Sequence, residues 1–401
     1  MSDNYSIDFF EDDEQLENDQ DLGDVGLHDF SAAVVSASDW TTETIISQID
    51  KKNIQLDPKF QRRDAWGAQR KSKFIESLIL GFPIPQIVLA ENKDRKGSFL
   101  VLDGKQRLLS IRQFAAKKDD VSYKTLKLST LEIRSDLNGK NLDSLQDDPM
   151  LNEELSSFEN QTIRTIVIRN WPNESFLYHV FLRLNTGSVP LSPQELRQAL
   201  HPGKFIEFLD EKSLNSKALQ EVLNLKKPDF RMRDNELMLR FIAYGNFFLN
   251  YNGNLKQFLD GSCLELNDNW NRYEYSINQQ IEQFELAHER LREIFGDNLY
   301  RKWSKTKYEK RFNRAIFDIY IHSFMHQNVR DLTRGSDALV EEIFKELCVN
   351  DPAFLDSIET TTKSLSSVVK RFTAWNNAIN IKFGSNLPEY EVQDSKIIRV
   401  K

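Results

Sequence analysis

Asp103, Lys105 and Arg107 crowd around one glycine in the stretch Phe99-Leu-Val-Leu-Asp-Gly-Lys-Gln-Arg-Leu-Leu-Ser110. Residues 99–102 are a short apolar run and predict a buried strand. Asp103-Gly104 predicts a sharp turn, and Lys105 to Lys117 a helix with Leu108, Ile111 and Ala115 on one face. A helix entered directly from a strand presents backbone N–H groups and the positive end of its dipole at one point. Lys105 and Arg107 add full positive charges there, which is the chemistry of a phosphate site. Asp103 and Gln106 also fit a capping box, with Asp103 as N-cap, and that reading needs no ligand. It leaves the two cations unexplained. Asp103 is the one acid inside the motif and is the candidate to place Mg²⁺ or a water, because Mg²⁺ is held by one or two carboxylates together with substrate phosphates.

Further segments accompany this motif: Phe60-Gln-Arg62 with Trp66, Pro83-Ile-Pro85, Phe181-x-Arg-Leu-Asn-x-Gly187, and Leu191-x-x-x-Glu-Leu-Arg197. In this order they resemble the ParB-like N-terminal domains of GmrSD-type, modification-dependent restriction proteins, over about residues 40–250. The hallmark of that family is Asp-Gly-Gln-Gln-Arg. Lys105 stands where the family usually has Gln, which keeps hydrogen-bond donation and adds charge. The resemblance implies a ParB/sulfiredoxin-like fold in which a turn and helix bind nucleotide phosphates. Asp57-Pro-Lys-Phe-Gln-Arg62 looks like a cousin of a second phosphate-binding segment of such proteins.

The site implied by this resemblance contains Gln61, Arg62, Gly104, Lys105, Gln106 and Arg107 for the nucleotide, with Asp103 as catalytic and Mg²⁺-binding residue. Arg183 and Asn185 are supporting candidates, with a helix C-cap formed by Asn185 or Gly187 as the alternative. Nucleases of the family often carry a C-terminal HNH-type domain, and no His-based cluster of that kind is found. His322 and His326 have the i, i+4 spacing of a metal pair but lack acidic partners at ligand spacing, so they are read as structural. Ser192-Pro-Gln-Glu195 is a helix start, which makes Glu195 a capping group. Trp66 is read as a packing residue, with base stacking as the alternative.

The 401 residues suit two or three domains, and 40% apolar with 11% aromatic content describes a globular chain. The apolar region 78–90 is broken by Gly81, Pro83 and Pro85, so no membrane span is expected. The N-terminus lacks a signal-peptide pattern, and a cytoplasmic location is expected. Cys263 and Cys348 are too few for a disulfide framework or a four-cysteine zinc site. Residues 1–30 hold eleven acids and no Lys or Arg, so a formal net charge of −8 becomes +3 for the remainder. An acidic tail over 1–38 is therefore expected, disordered or folded back as a nucleic-acid mimic.

The predicted class is α+β: a head with a small mixed sheet over 39–200, followed by a mostly helical region over 201–401. Helices are expected from Asp39 or Thr41 through Lys51 and at 67–80, 105–117 and 173–184, strands at 54–56, 86–90, 99–102 and 162–169, and a polar excursion or lid at 122–160. Beyond 184 the pattern is helical nearly to the end. The functional expectation is a protein of a prokaryotic anti-phage or restriction system that binds a nucleoside triphosphate with Mg²⁺ and acts on or senses DNA. Hydrolysis is left open. The expected partners are the nucleotide and DNA or a DNA-acting protein, with self-association open. The alternatives are a nuclease or nickase acting through the head, and a non-enzymatic adaptor.

Overall fold

The computed structural model describes residues 33–54, 56, 65–93, 95–184, 192–225, 228–229 and 231–400. The chain divides into two compact units. One contains residues 33–200 with a short return at 228–232, and the other contains residues 201–225 and 233–400. The class is α+β.

The head contains β1 (Val34–Thr41), α1 (Thr42–Asp50), α2 (Ala68–Ile79), β2 (Ile87–Glu91), β3 (Phe99–Asp103), α3 (Lys105–Phe114), α4 (Leu142–Gln146), α5 (Asn152–Asn160), β4 (Thr162–Arg169), α6 (Glu174–Leu184) and α7 (Pro193–Leu200). The four strands form one mixed sheet in the order β1-β4-β2-β3. Ile87-Val-Leu-Ala90 is buried along its length, as an interior strand covered on both faces requires. It runs parallel to β4, with Ile87 opposite Thr165 and Ala90 opposite Ile168. β1 and β3 are the antiparallel outer strands. The edge at β3 is extended by a bridge from Ile54 to Phe99.

Two local expectations are corrected. Val34–Thr41 is a strand, although the acidic tail was expected to reach residue 38; Val34 pairs with Arg169 and Thr41 with Thr162. Of the expected 54–56 strand, the described residues Ile54 and Leu56 show one bridge, from Ile54 to Phe99. The 122–160 stretch is not a detached lid. Leu126, Leu128, Leu131, Leu137, Leu145 and Phe158 are buried in the same core as Ile75, Leu78, Leu89 and Leu108. Each such side chain contributes roughly 1.5–3 kcal/mol when removed from water, which holds this polar-looking segment on the head.

The second unit comprises α8 (Lys204–Asn215), α9 (Lys217–Val222), α10 (Arg233–Phe247), α11 (Leu255–Asp268), α12 (Trp270–Phe295), β5 (Arg301–Trp303), β6 (Tyr308–Phe312), α13 (Arg314–Phe324), α14 (Gln327–Leu332), α15 (Asp337–Asn350), α16 (Pro352–Glu359), α17 (Leu365–Phe383), β7 (Tyr390–Gln393) and β8 (Lys396–Arg399). Its core is rich in aromatic side chains. Tyr244 lies 5.2 Å from Phe258 and 5.6 Å from Phe372 between ring centres, so the aromatic side chains of α10 are part of this core. The hairpins β5–β6 and β7–β8 interrupt a region expected to be helical.

Candidate functional site

β3 ends at Asp103 opposite Val88, where a register shift at Val88–Leu89 breaks the regular ladder. Gly104 follows with φ 96° and ψ 11° and is the N-cap of α3. That is left-handed backbone, which glycine adopts without steric cost. A Cβ at 104 would lie 3.0 Å from Cγ1 of Ile87, and 3.2 and 3.3 Å from Nη2 and Nε of Arg107. The bare glycine thus lets the guanidinium of Arg107 lie against the turn.

The capping box expected from Asp103 and Gln106 does not form. The left-handed glycine takes the N-cap position and leaves Asp103 in the strand, and no side chain caps α3. The Asp103 carboxylate accepts from Arg107 instead, with Nη2 and Oδ2 2.7 Å apart. Arg107 Nη2 also donates to the carbonyl of Gln86 at 2.9 Å. One side chain therefore ties the start of β2, the end of β3 and the first turn of α3 together. Gln106 Oε1 accepts from the Trp66 backbone N–H at 3.3 Å. The Trp66 ring packs edge-on against Phe74 at 5.7 Å and beneath Arg70 at 4.5 Å.

Lys105 reaches a residue that local reading had not connected to it. Its Nζ lies 2.8 Å from Oε1 of Glu195, and the two side chains are only 12% and 7% exposed. Glu195 Oε2 accepts from Ser192 N–H at 2.8 Å, while Ser192 Oγ accepts from Glu195 N–H at 3.2 Å. The capping role expected of Glu195 is present, and the same carboxylate neutralises Lys105. The signal that was available is the acid in Leu191-x-x-x-Glu-Leu-Arg197, but nothing local names its partner.

Two cations at a helix N-terminus sit at the unfavourable end of its dipole. Here each has its own carboxylate, Glu195 for Lys105 and Asp103 for Arg107. Arg107 is 9% exposed and Asp103 26%, so this second pair opens toward solvent on the carboxylate side. Among the described residues, the turn gathers two cations and two carboxylates at a helix start. Phosphate oxygens are able to take the place of the carboxylates on the cations. Asp103, Gly104, Lys105, Gln106 and Arg107 are thus brought together with Glu195. Arg183 is exposed in the last turn of α6. Gln61, Arg62 and Asn185 lie outside the described residues, as do residues 1–32 of the acidic tail.

In the helical unit, α13 ends at Phe324, before His326. His322 is enclosed by Phe241 and Phe372 at 5.1 and 5.7 Å, and His326 precedes α14 as its N-cap residue. Burial pushes the Cys348 thiol up to about 12, which removes it from thiolate chemistry at neutral pH.

Residues 43–202 match the family model described as GmrSD restriction endonuclease, N-terminal domain. The match spans less than half of the chain and includes the whole 103–107 turn and Glu195. No curated protein and no solved structure matches the chain. No helix among the described residues is long and apolar enough to cross a membrane.

Proposed function

Taking residues 43–202 as an N-terminal domain of the GmrSD restriction endonuclease family, we propose that the protein serves a prokaryotic restriction or anti-phage system by acting on or sensing DNA. Its head binds a nucleoside triphosphate at the 103–107 turn. The observation that supports this most is the left-handed Gly104, which starts α3 with Lys105 and Arg107 on its first turn. Binding exchanges partners: phosphate oxygens take Lys105 and Arg107, and the carboxylates of Glu195 and Asp103 are released.

Asp103 is a hard oxygen donor of the kind Mg²⁺ takes alongside phosphates. It fits such an ion, which would supply charge neutralisation on the phosphates. Asp103, 26% exposed, is also the residue that orients an attacking water. Hydrolysis is slow in this reading and depends on Asp103, the one acid inside the 103–107 motif.

The test is phosphate release by the full-length chain with ATP, GTP, CTP or UTP and Mg²⁺. At least one nucleotide is expected to turn over. Asp103→Asn, which keeps the shape and a hydrogen bond to Arg107, is expected to bind that nucleotide and release no phosphate. Equal turnover in the variant removes Asp103 from the chemistry. Plasmid nicking that ignores nucleotide would instead support a nuclease in the head.

A further inference from the structure

The β5–β6 hairpin of the helical unit has a charge pattern unlike its surroundings. Arg301-Lys-Trp-Ser-Lys-Thr-Lys-Tyr-Glu-Lys-Arg311 holds six Lys or Arg and one acid. That acid, Glu309, is taken by Lys302 at 2.5 Å, and Lys302 also meets Glu359 at 2.6 Å. Among the described residues, Arg301, Lys305, Lys307, Lys310 and Arg311 have no ion pair. Lys305, Lys307, Lys310 and Arg311 are exposed, and Arg301 is half-buried. Five uncompensated cations on one short ribbon repel each other and destabilise it unless a polyanion neutralises them.

The ribbon is held by its other side chains. Trp303 and Tyr308 pair across the strands, with ring centres 5.0 Å apart and edge-to-face. Lys345 of α15 lies 4.6 Å from the Trp303 ring, and Tyr308 donates to Glu341 of the same helix at 3.0 Å. The aromatic residues thus anchor the hairpin and the cations are left to solvent. At its base a cleft of about 480 Å³ is lined by Arg301 and Lys310 together with Arg292, Glu221 and Asp297; there Arg292 is paired with both acids, so the unpaired positive charge lies on the ribbon.

We propose that the β5–β6 hairpin is a DNA-docking ribbon that binds the phosphate backbone of duplex DNA through Arg301, Lys305, Lys307, Lys310 and Arg311. This rests on the reading that the protein acts on DNA, and it assigns the contact to the helical unit. A two-stranded ribbon has the width that the major groove of B-DNA accepts. Single strands are usually held by exposed stacking rings, whereas Trp303 and Tyr308 are engaged with Lys345 and Glu341. Duplex is therefore the favoured form.

The experiment is fluorescence anisotropy of the full-length chain with a labelled DNA duplex across a salt series. The variant carries Lys305→Gln, Lys307→Gln, Lys310→Gln and Arg311→Gln, all at exposed positions. A control removes the same charge from the head by Lys51→Gln, Lys52→Gln, Lys117→Gln and Lys118→Gln. Each phosphate contact adds about 0.9 to the slope of log K against log salt, so the hairpin variant should lose about 3 to 4 in slope and bind at least roughly tenfold more weakly at about 0.1 M salt. The control should keep the parental slope. If the parent binds duplex and the hairpin variant matches it, the ribbon is not the contact and the DNA reading stands. If both variants lose equally, the effect is general charge and the ribbon is again refuted. If the parent binds no duplex, the DNA reading itself fails and the inference falls with it.

Discussion

Lys105 and Glu195, ninety positions apart in the chain, meet at 2.8 Å with both side chains largely shielded from water. Glu195 simultaneously caps α7 through Ser192, so the start of one helix supplies the counter-ion for the start of another. A buried pair of this kind gains attraction but bears a desolvation cost. It also makes the carboxylate a direct competitor of any phosphate that approaches Lys105.

Glu195→Gln therefore separates stability from binding. Gln retains the capping geometry at this position while Lys105 loses the negative charge of Glu195. Thermal unfolding is expected to show a loss of about 1–3 kcal/mol, the usual scale for removing a hydrogen-bonding partner from a buried charged group. Nucleotide affinity is expected to rise about tenfold, equal to about 1.4 kcal/mol. A variant that binds more weakly than the parent would place Glu195 among the groups that hold the ligand.

Gly104→Ala tests the turn itself. Its left-handed φ and the approach of Ile87 and Arg107 predict a loss of about 2–3 kcal/mol, combining backbone strain with a displaced guanidinium. Gly97 is also left-handed but has open space around a Cβ, so Gly97→Ala should cost only about 1 kcal/mol. Equal losses for the two variants in denaturant titrations would mean that Arg107 does not depend on a bare glycine.

What the sequence made legible follows interaction range. The strand, Asp-Gly turn and helix at 99–114 are local and were readable from an apolar run and a breaker. The partners of Lys105 and Asp103 were not, because Glu195 is distant and the left-handed Gly104 shifts the cap by one residue. β1 escaped because Val34 and Val35 are exposed on an outer strand and its pairing with 162–169 is long-range. The 122–160 excursion hid its core role by spreading single leucines among polar residues. The β5–β6 hairpin was missed because its alternation sets cations against aromatic rings, which does not register as an apolar period.

Acid stability should report the buried histidines of the helical unit. Burial first, then the neighbouring His326 and Arg240, pulls His322 down to about 3. The unfolded chain takes up this proton near pH 6.5 and the folded chain does not, so stability falls as pH drops from about 6.5 toward 3. Between about pH 7 and 5, His322 alone accounts for about 2 kcal/mol. His288 and His326, also lowered chiefly by burial, act in the same direction. His322→Phe, an apolar ring among Phe241, Tyr244 and Phe372, should reduce the pH 7-to-5 loss by that amount. An unchanged loss in urea titrations would show that His322 does not control it.

The central claim is that the 103–107 turn holds a triphosphate. Calorimetric titration of the full-length chain with ATP, GTP, CTP and UTP in Mg²⁺ tests it most directly, beside Arg107→Ala and Lys105→Ala. The account predicts that one nucleotide binds well below about 1 mM, the level at which only about 4 kcal/mol of binding free energy remains, and that each variant weakens it at least about tenfold. Lys105→Ala leaves the Arg107 tie between β2, β3 and α3 in place, so its effect is separable from a loosened turn. No nucleotide binding at that level, or undiminished binding in both variants, would contradict the account.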